Sequence, residues 1–103
     1  MVVMFNNGYL QRLFEGKTVT GKPKYNPEII LKFKKTVLML KYAENIREIR
    51  RFKGLNFESL RGDLKGFYSV RVDRQYRLIL AIEKDTLQIN DILIVEDLTN
   101  HYH

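Results

Sequence analysis

The sequence predicts an α+β fold in which N-terminal helices pack on a mainly antiparallel β-sheet. Apolar residues recur every three or four positions between residues 26 and 54, which is typical of helices. After residue 66 the apolar residues alternate instead, and short polar breaks divide the alternating region into strands. Helices followed by strands favour an α+β domain. At 103 residues the chain has the length of one domain, so we expect residues 1–103 to form a single unit.

The first 25 residues predict a short strand, a short helix and a loop. Val2–Phe5 is apolar and stops at the turn-prone Asn6-Asn7-Gly8 sequence. Gly8–Glu15 follows with apolar residues at helical spacing. Residues 16–25 contain two glycines, one proline and three lysines, a composition that indicates a basic loop.

A long helix is expected to begin at Pro27. Asn26 is a favoured N-cap residue, proline suits the first helical position, and Glu28 lies near the positive end of the helix dipole. A second helix containing Ile46 and Ile49 is expected to follow and to end at Gly54. The buried stripe of the long helix is predicted to consist of Ile29, Phe33, Val37 and Leu40.

Three strands are predicted in the second half of the chain. They cover residues 67–73, 76–83 and 87–95, which are rich in Val, Ile, Leu, Tyr and Phe. The polar breaks at residues 74–75 and 84–86 are short enough for tight turns, so we expect an antiparallel meander.

Positive charge is concentrated in the first half of the chain. Residues 1–60 carry 12 Lys and Arg against 5 Asp and Glu, whereas residues 61–103 carry 6 against 7. A basic half indicates a face that meets a polyanion, with nucleic acid the first candidate, although an ordinary solvated helix surface has the same composition.

The chain has no cysteine, which excludes a disulfide, a zinc–thiolate site and a thiol nucleophile. No apolar run is long enough for a signal peptide or a membrane span, so we expect a cytoplasmic location.

Both histidines lie in the last three residues. His101 and His103 titrate near neutral pH, which suits general acid or base catalysis. Half of a metal site, completed by Glu96 or Asp97, is the second interpretation. Adjacent ligands on a chain end would be poorly organised, however, so we predict no metal. A frayed tail without a role is the third interpretation.

Two further segments contain candidate residues. Residues 60–66 contain two glycines spaced by four, with Arg61 and Lys65 available for phosphate oxygens. The segment lacks the Gly-Lys-Ser/Thr ending of a Walker loop. Arg77 lies among the apolar residues of a predicted strand, where an arginine is either paired structurally or directed at an anion.

In order along the chain, these segments resemble the HigB toxins of the RelE superfamily. Three segments show the resemblance: Leu-Arg-Gly-Asp-Leu-Lys-Gly-Phe-Tyr-Ser-Val-Arg-Val from residue 60, Gln-Tyr-Arg-Leu from residue 75, and the terminal His-Tyr-His. In that family an LKGD segment leads to a Trp-Arg strand, and the chain closes near Asp-Tyr-His. Here Arg61 replaces the lysine, Tyr76 the tryptophan and His101 the aspartate.

The resemblance implies a RelE-like fold and the toxin of a type II toxin–antitoxin system. Such a toxin is a ribosome-dependent endoribonuclease, and it cleaves messenger RNA by metal-free attack of a ribose 2′-OH on the phosphodiester. It also implies a helix-turn-helix antitoxin of the HigA type, through which operator DNA is bound only indirectly. We expect no cofactor and no membrane partner. The alternatives are a RelE/ParE-type module that binds a protein such as gyrase without catalysis, and a non-toxic RNA-binding domain.

Residue roles follow from the same resemblance. The catalytic residues implied are Arg61 and Arg77 for the phosphate, His101 and His103 for proton transfer, and Tyr102 for orienting the substrate. An arginine at position 61 stabilises negative charge but cannot act as a base, because a guanidinium keeps its proton at working pH. The residues expected to contact the ribosome and RNA are Lys17, Lys22, Lys24, Arg50, Arg51, Lys53 and Lys65.

Overall fold

The computed structural model describes residues 1–85 and 90–101. The helices are α1 (Gly8–Glu15), α2 (Pro27–Tyr42) and α3 (Ile46–Arg51), and two single 3₁₀ turns lie at Lys53–Leu55 and Gly62–Leu64. The strands are β1 (Val2–Phe5), β2 (Glu58–Ser59), β3 (Tyr68–Arg71), β4 (Arg77–Asp85) and β5 (Asn90–Thr99). In the part of the chain described, no helix is long and apolar enough to cross a membrane.

The strands form one sheet in the order β1-β5-β4-β3-β2. β1 runs parallel to β5, and every other neighbouring pair is antiparallel. The predicted α+β architecture with a mainly antiparallel sheet is therefore confirmed. The sheet is mixed because β1 precedes the helices, which carry the chain back across the sheet before the meander begins.

One face of the sheet packs on all three helices. Val70, Leu78 and Leu98 are paired across β3, β4 and β5 and are at most 2% exposed. They join Phe33 and Ile49 in the main hydrophobic core. The predicted stripe of α2 is confirmed, since all four of its residues are buried in this core: Ile29, Phe33, Val37 and Leu40.

The N-termini of the helices are fixed by asparagine side chains. Asn26 Oδ1 accepts a hydrogen bond from the Ile29 amide at 2.8 Å, which confirms the predicted N-cap of α2. Asn45 caps α3 in the same way through the Glu48 amide at 2.9 Å. Each cap satisfies a backbone donor that the helix itself leaves without a partner.

Several predicted boundaries were wrong. α3 ends at Arg51, and Gly54 lies inside the following 3₁₀ turn and does not cap the helix. β4 continues to Asp85, so the predicted break at residues 84–86 comes too early, and Thr86 lies outside the described residues. The third predicted strand, residues 87–95, is observed from Asn90 and continues to Thr99, while residues 87–89 lie outside the described part.

Candidate functional site

A buried arginine marks the second face of the sheet. Arg77 begins β4 and is only 3% exposed. Its neighbours across the sheet are Arg71 on β3 and Thr99 on β5. Directly paired residues of a sheet project from the same face, so these three positions form one row on the face opposite the helices.

The Arg77 guanidinium is held by protein groups. Nε donates to the hydroxyl of Ser69 at 2.8 Å, and Nη2 donates to the carbonyl oxygens of Ser69, at 3.3 Å, and of Asn56. Glu58 lies 3.8 Å from Nη2, and its side chain is 49% exposed. Of the two alternatives open for Arg77, structural pairing is therefore observed.

The segment that carries Arg61 closes a loop between β2 and β3. The Leu60 amide donates to the Phe67 carbonyl at 3.0 Å, and Leu60 is buried, which anchors the base of the loop. Gly62 and Gly66 have φ of +62° and +96°, a conformation that side chains disfavour. Arg61 and Lys65 are exposed on this loop.

The loop with Arg61 adjoins the start of β3, and Arg77 lies beside the end of β3. The last residue of β2, Ser59, pairs with Tyr68 at the start of β3. Arg77 pairs with Arg71 at the end of β3. Glu58 connects the two regions, because it pairs with the Arg77 guanidinium and lies three residues before Arg61.

The C-terminal segment leaves the sheet at the row of Arg77. β5 ends at Thr99, opposite Arg77, and His101 follows two residues later. The Thr99 hydroxyl oxygen accepts from the His101 amide at 2.9 Å, so the backbone turns there. His101 is exposed, and Tyr102 and His103 lie outside the described residues. Within the described residues, no three His, Asp or Glu side chains are placed to hold a metal ion.

Three tyrosines connect the basic loop to the end of β5. The Tyr25 hydroxyl donates to the Leu98 carbonyl at 2.7 Å, and its ring meets Tyr76 edge-on at 5.8 Å between centroids. The ring centroids of Tyr9 and Tyr25 are 6.3 Å apart. The Lys24 ammonium lies over the Tyr9 ring, 4.8 Å from its centroid. Burial raises the pKa of Tyr25 to about 12, and the nearby Asp97 carboxylate, Tyr76 and Tyr9 add to the shift.

All seven residues predicted to contact RNA are exposed. They occupy separate regions. Lys17, Lys22 and Lys24 lie on the loop before α2, and Lys65 lies on the β2–β3 loop. Arg50 and Arg51 lie at the end of α3, and Lys53 begins the 3₁₀ turn that follows. The Arg50 guanidinium lies 4.8 Å from the centroid of the Phe57 ring.

Sequence reasoning did not identify the groups that hold Arg77. Ser69, Asn56 and Glu58 come from two strands and a turn, and only the folded chain brings them together. Ser69 carried one signal, because it is a small polar residue within an apolar strand pattern. Tyr25 was also missed, since its partner is a backbone carbonyl 73 residues away.

Comparisons with known proteins agree on the fold. A family model described as HigB-like toxin, "RelE-like toxin of type II toxin-antitoxin system HigB", matches residues 3–95. A YoeB/ParE toxin from Agrobacterium tumefaciens is structurally similar, with a TM-score of 0.55 and 18% identity over 99% of this chain and 100% of the other. The toxin–antitoxin complex YoeB-YefM from Staphylococcus aureus is similar with a TM-score of 0.52 and 19% sequence identity. This match covers 99% of this chain and 98% of the other. No curated protein matches the sequence.

Proposed function

The chain belongs to the HigB-like family of RelE-like type II toxins, and from this premise we propose that it is a ribosome-dependent endoribonuclease that cleaves messenger RNA. One observation carries the proposal beyond family membership. The sheet register sets Thr99 opposite the buried Arg77, so the segment with both histidines starts beside a fixed positive charge. A phosphodiester bound there would lie near the buried Arg77 guanidinium and close to the titratable groups.

The proposed reaction is transesterification followed by release of the downstream RNA. The ribose 2′-oxygen attacks the adjacent phosphorus while a base removes its proton. The bond between phosphorus and the 5′-oxygen breaks, and an acid protonates the departing 5′-oxygen. The products are a 2′,3′-cyclic phosphate and a 5′-OH end, so the protons balance without an added cofactor.

Each residue of the candidate site has a distinct role in this proposal. His103 and His101 share the roles of base and acid, and Tyr102 stacks on or orients the substrate. The exposed Arg61 contacts phosphate oxygens directly. Arg77 supplies positive potential from its buried position.

Delivery to the ribosome is proposed to depend on the exposed cations. Lysines and arginines that neutralise phosphates release counterions, so association is expected to weaken as salt rises. The partners proposed are the ribosome with its messenger RNA and a HigA-like helix-turn-helix antitoxin, with operator DNA reached only through the antitoxin. We place the protein in the cytoplasm.

Induced expression without an antitoxin tests the activity. We expect growth arrest with new 5′ ends inside messages, mapped by primer extension. The ends should require ribosomes, so purified messenger RNA alone should stay intact. Growth arrest with intact messages and inhibited supercoiling would contradict the proposal and support a gyrase-binding module.

The histidine assignment has its own test. Removing residues 101–103 should lower cleavage by a factor of about 10² or more, because one proton-transfer group typically contributes about 10²–10⁴-fold. His103→Gln is expected to cost more than His101→Gln, since His103 retains the residue of the family pattern. Each variant is compared at matched thermal stability and ribosome affinity. Full activity of the truncated chain would disprove the assignment and leave the fold unaffected.

A further inference from the structure

The end of β5 extends beyond its neighbour β1. The two strands pair only from Ile92 to Val95, and the ladder ends with the hydrogen bond from the Asn6 amide to the Val95 carbonyl at 2.9 Å. Residues 96–99 of β5 therefore have a paired strand on one side only, which is β4. Backbone groups on the other side need partners from side chains, because a buried carbonyl or amide without a hydrogen bond is costly.

Side chains take the place of the missing strand. The Asn7 side-chain amide donates to the Glu96 carbonyl at 3.2 Å. The Asp97 carboxylate accepts from the Leu98 amide at 2.8 Å. The Leu98 carbonyl accepts from the Tyr25 hydroxyl at 2.7 Å, and Leu98 is buried, so water is a poor substitute for this donor. Tyr25 thus anchors β5 one residue before the strand ends.

The Tyr25 side chain is itself held in place. Its ring meets Tyr76 edge-on at 5.8 Å between centroids, and the Tyr9 ring lies 6.3 Å away. The next residue, Asn26, caps α2 through the Ile29 amide at 2.8 Å, so the backbone beside Tyr25 is fixed as well. Burial raises the pKa of Tyr25 to about 12, so the hydroxyl keeps the proton that it donates. A donor held in this way restricts the carbonyl that it contacts.

Residues 100–103, the histidine segment, follow directly after this anchor. Thr99 pairs with Arg77 and ends β5, and the Thr99 hydroxyl accepts from the His101 amide at 2.9 Å. Asn100 and His101 are exposed, so burial does not hold them in place. The position of His101 therefore depends on how firmly the end of β5 is held.

We propose that Tyr25 is a positioning residue for message cleavage, because its hydroxyl holds the end of β5 so that the histidine segment starts beside Arg77. The inference rests on the proposed function, in which His101 and His103 transfer protons. Tyr25 does not touch the substrate and acts through the Leu98 carbonyl. Without the hydroxyl, the end of the strand frays, and the acid and base spend less time at the phosphodiester. Misplacement of a reacting group by about 1 Å can cost about 10²-fold in rate, and we expect less from the loss of one anchor.

Cleavage kinetics of Tyr25→Phe on purified ribosomes with a defined message test the proposal, at a temperature where every variant is folded. We expect kcat to fall about five- to tenfold with KM and ribosome affinity unchanged, because only the histidine segment loses its position. Asn26→Ala is the stability-matched control, since it removes a neighbouring hydrogen bond that lies within α2. Tyr9→Phe is the chemically matched control, since its hydroxyl accepts from the Lys24 amide and not from β5. Both controls should keep the kcat of the parent.

Amide hydrogen exchange gives a second measurement that does not depend on cleavage. Exchange at Leu93, inside the sheet, follows global stability and should accelerate by similar factors in Tyr25→Phe and Asn26→Ala. Exchange at His101 should accelerate in Tyr25→Phe and in neither control.

Three outcomes would overturn the proposal: an unchanged kcat of Tyr25→Phe, an equal loss of kcat in Asn26→Ala, or unchanged exchange at His101. A parent chain that never cleaves messages would refute the proposed function and with it the catalytic part of the inference. Exchange at His101 would then still decide whether the Tyr25 hydroxyl holds the histidine segment.

Discussion

Tyr25→Phe removes a single hydrogen bond that ties the loop before α2 to β5. The hydroxyl donates to the Leu98 carbonyl at 2.7 Å, and the phenylalanine ring keeps the contact with Tyr76. The carbonyl is left without this donor, so we expect the free energy of unfolding to fall by about 1–2 kcal/mol. For a domain of this size, each kcal/mol corresponds to a loss of about 4–8 °C in Tm.

The same variant should change how stability depends on pH. The pKa of Tyr25 is raised from 10.0 to about 12 in the folded protein. A raised folded pKa means that the stabilisation is complete below pH 10 and is lost as the pH rises from 10 to 12. Two pKa units correspond to about 2.7 kcal/mol, but solvent screens this half-exposed group, and we expect about 1 kcal/mol.

Urea denaturation of the parent and of Tyr25→Phe from pH 7 to 12 measures both effects. The difference between the two proteins should be largest at neutral pH and should shrink between pH 10 and 12. Tyr42→Phe is the control, because Tyr42 is 83% exposed and should show no such change. Equal denaturation midpoints at pH 7, or a difference that stays constant to pH 12, would refute the reasoning.

Three other substitutions follow from the same structure. Ser69→Ala removes the acceptor of Arg77 Nε and should cost about 1.5–3 kcal/mol in urea denaturation, whereas the exposed Ser59→Ala should cost little; equal effects would contradict the buried bond. Asn26→Ala removes the N-cap of α2 and should lower the free energy of unfolding by about 1 kcal/mol, and an unchanged denaturation midpoint would count against the cap. Neutralising Lys22 and Lys24 should weaken ribosome association and flatten its salt dependence, measured by co-sedimentation, and identical salt curves would mean that this loop does not contact RNA.

Elements with local causes could be predicted from the sequence. The N-cap at Asn26 and the periodic apolar residues after it define α2 without reference to the rest of the chain. β1 and the starts of α1 and α2 have similar local signals, and their predicted bounds are confirmed. Short or non-local elements lacked such signals. β2 has two exposed residues and forms only by pairing with β3, so no periodic pattern marks it.

The end of β5 was missed because its apolar alternation is interrupted. Val95 and Leu98 are both buried but lie three residues apart, whereas regular alternation requires two or four. The register shows the cause: Leu80 pairs with Val95 and Ile79 with Asp97, so Glu96 is an extra residue in a β-bulge. The candidate site was predictable only in part for the same reason. Arg77 was identified from the sequence, but the strand register that places its partners beside it was not.

The bulge also determines where the sheet tolerates a change in length. Glu96 accepts hydrogen bonds from Asn6 through its carboxylate, at 2.9 Å, and from Asn7 through its carbonyl, at 3.2 Å. Deleting Glu96 would lose these contacts, but Val95, Asp97 and Leu98 would then alternate regularly, with Leu98 still directed to the core. Deleting Asp97 would restore the same alternation, whereas a deletion between Asn90 and Leu93 that kept the bulge would invert every later side chain, exposing Leu98 and turning Thr99 inward. Relatives of this chain that are one residue shorter in this strand are therefore expected to lack the residue at position 96 or 97.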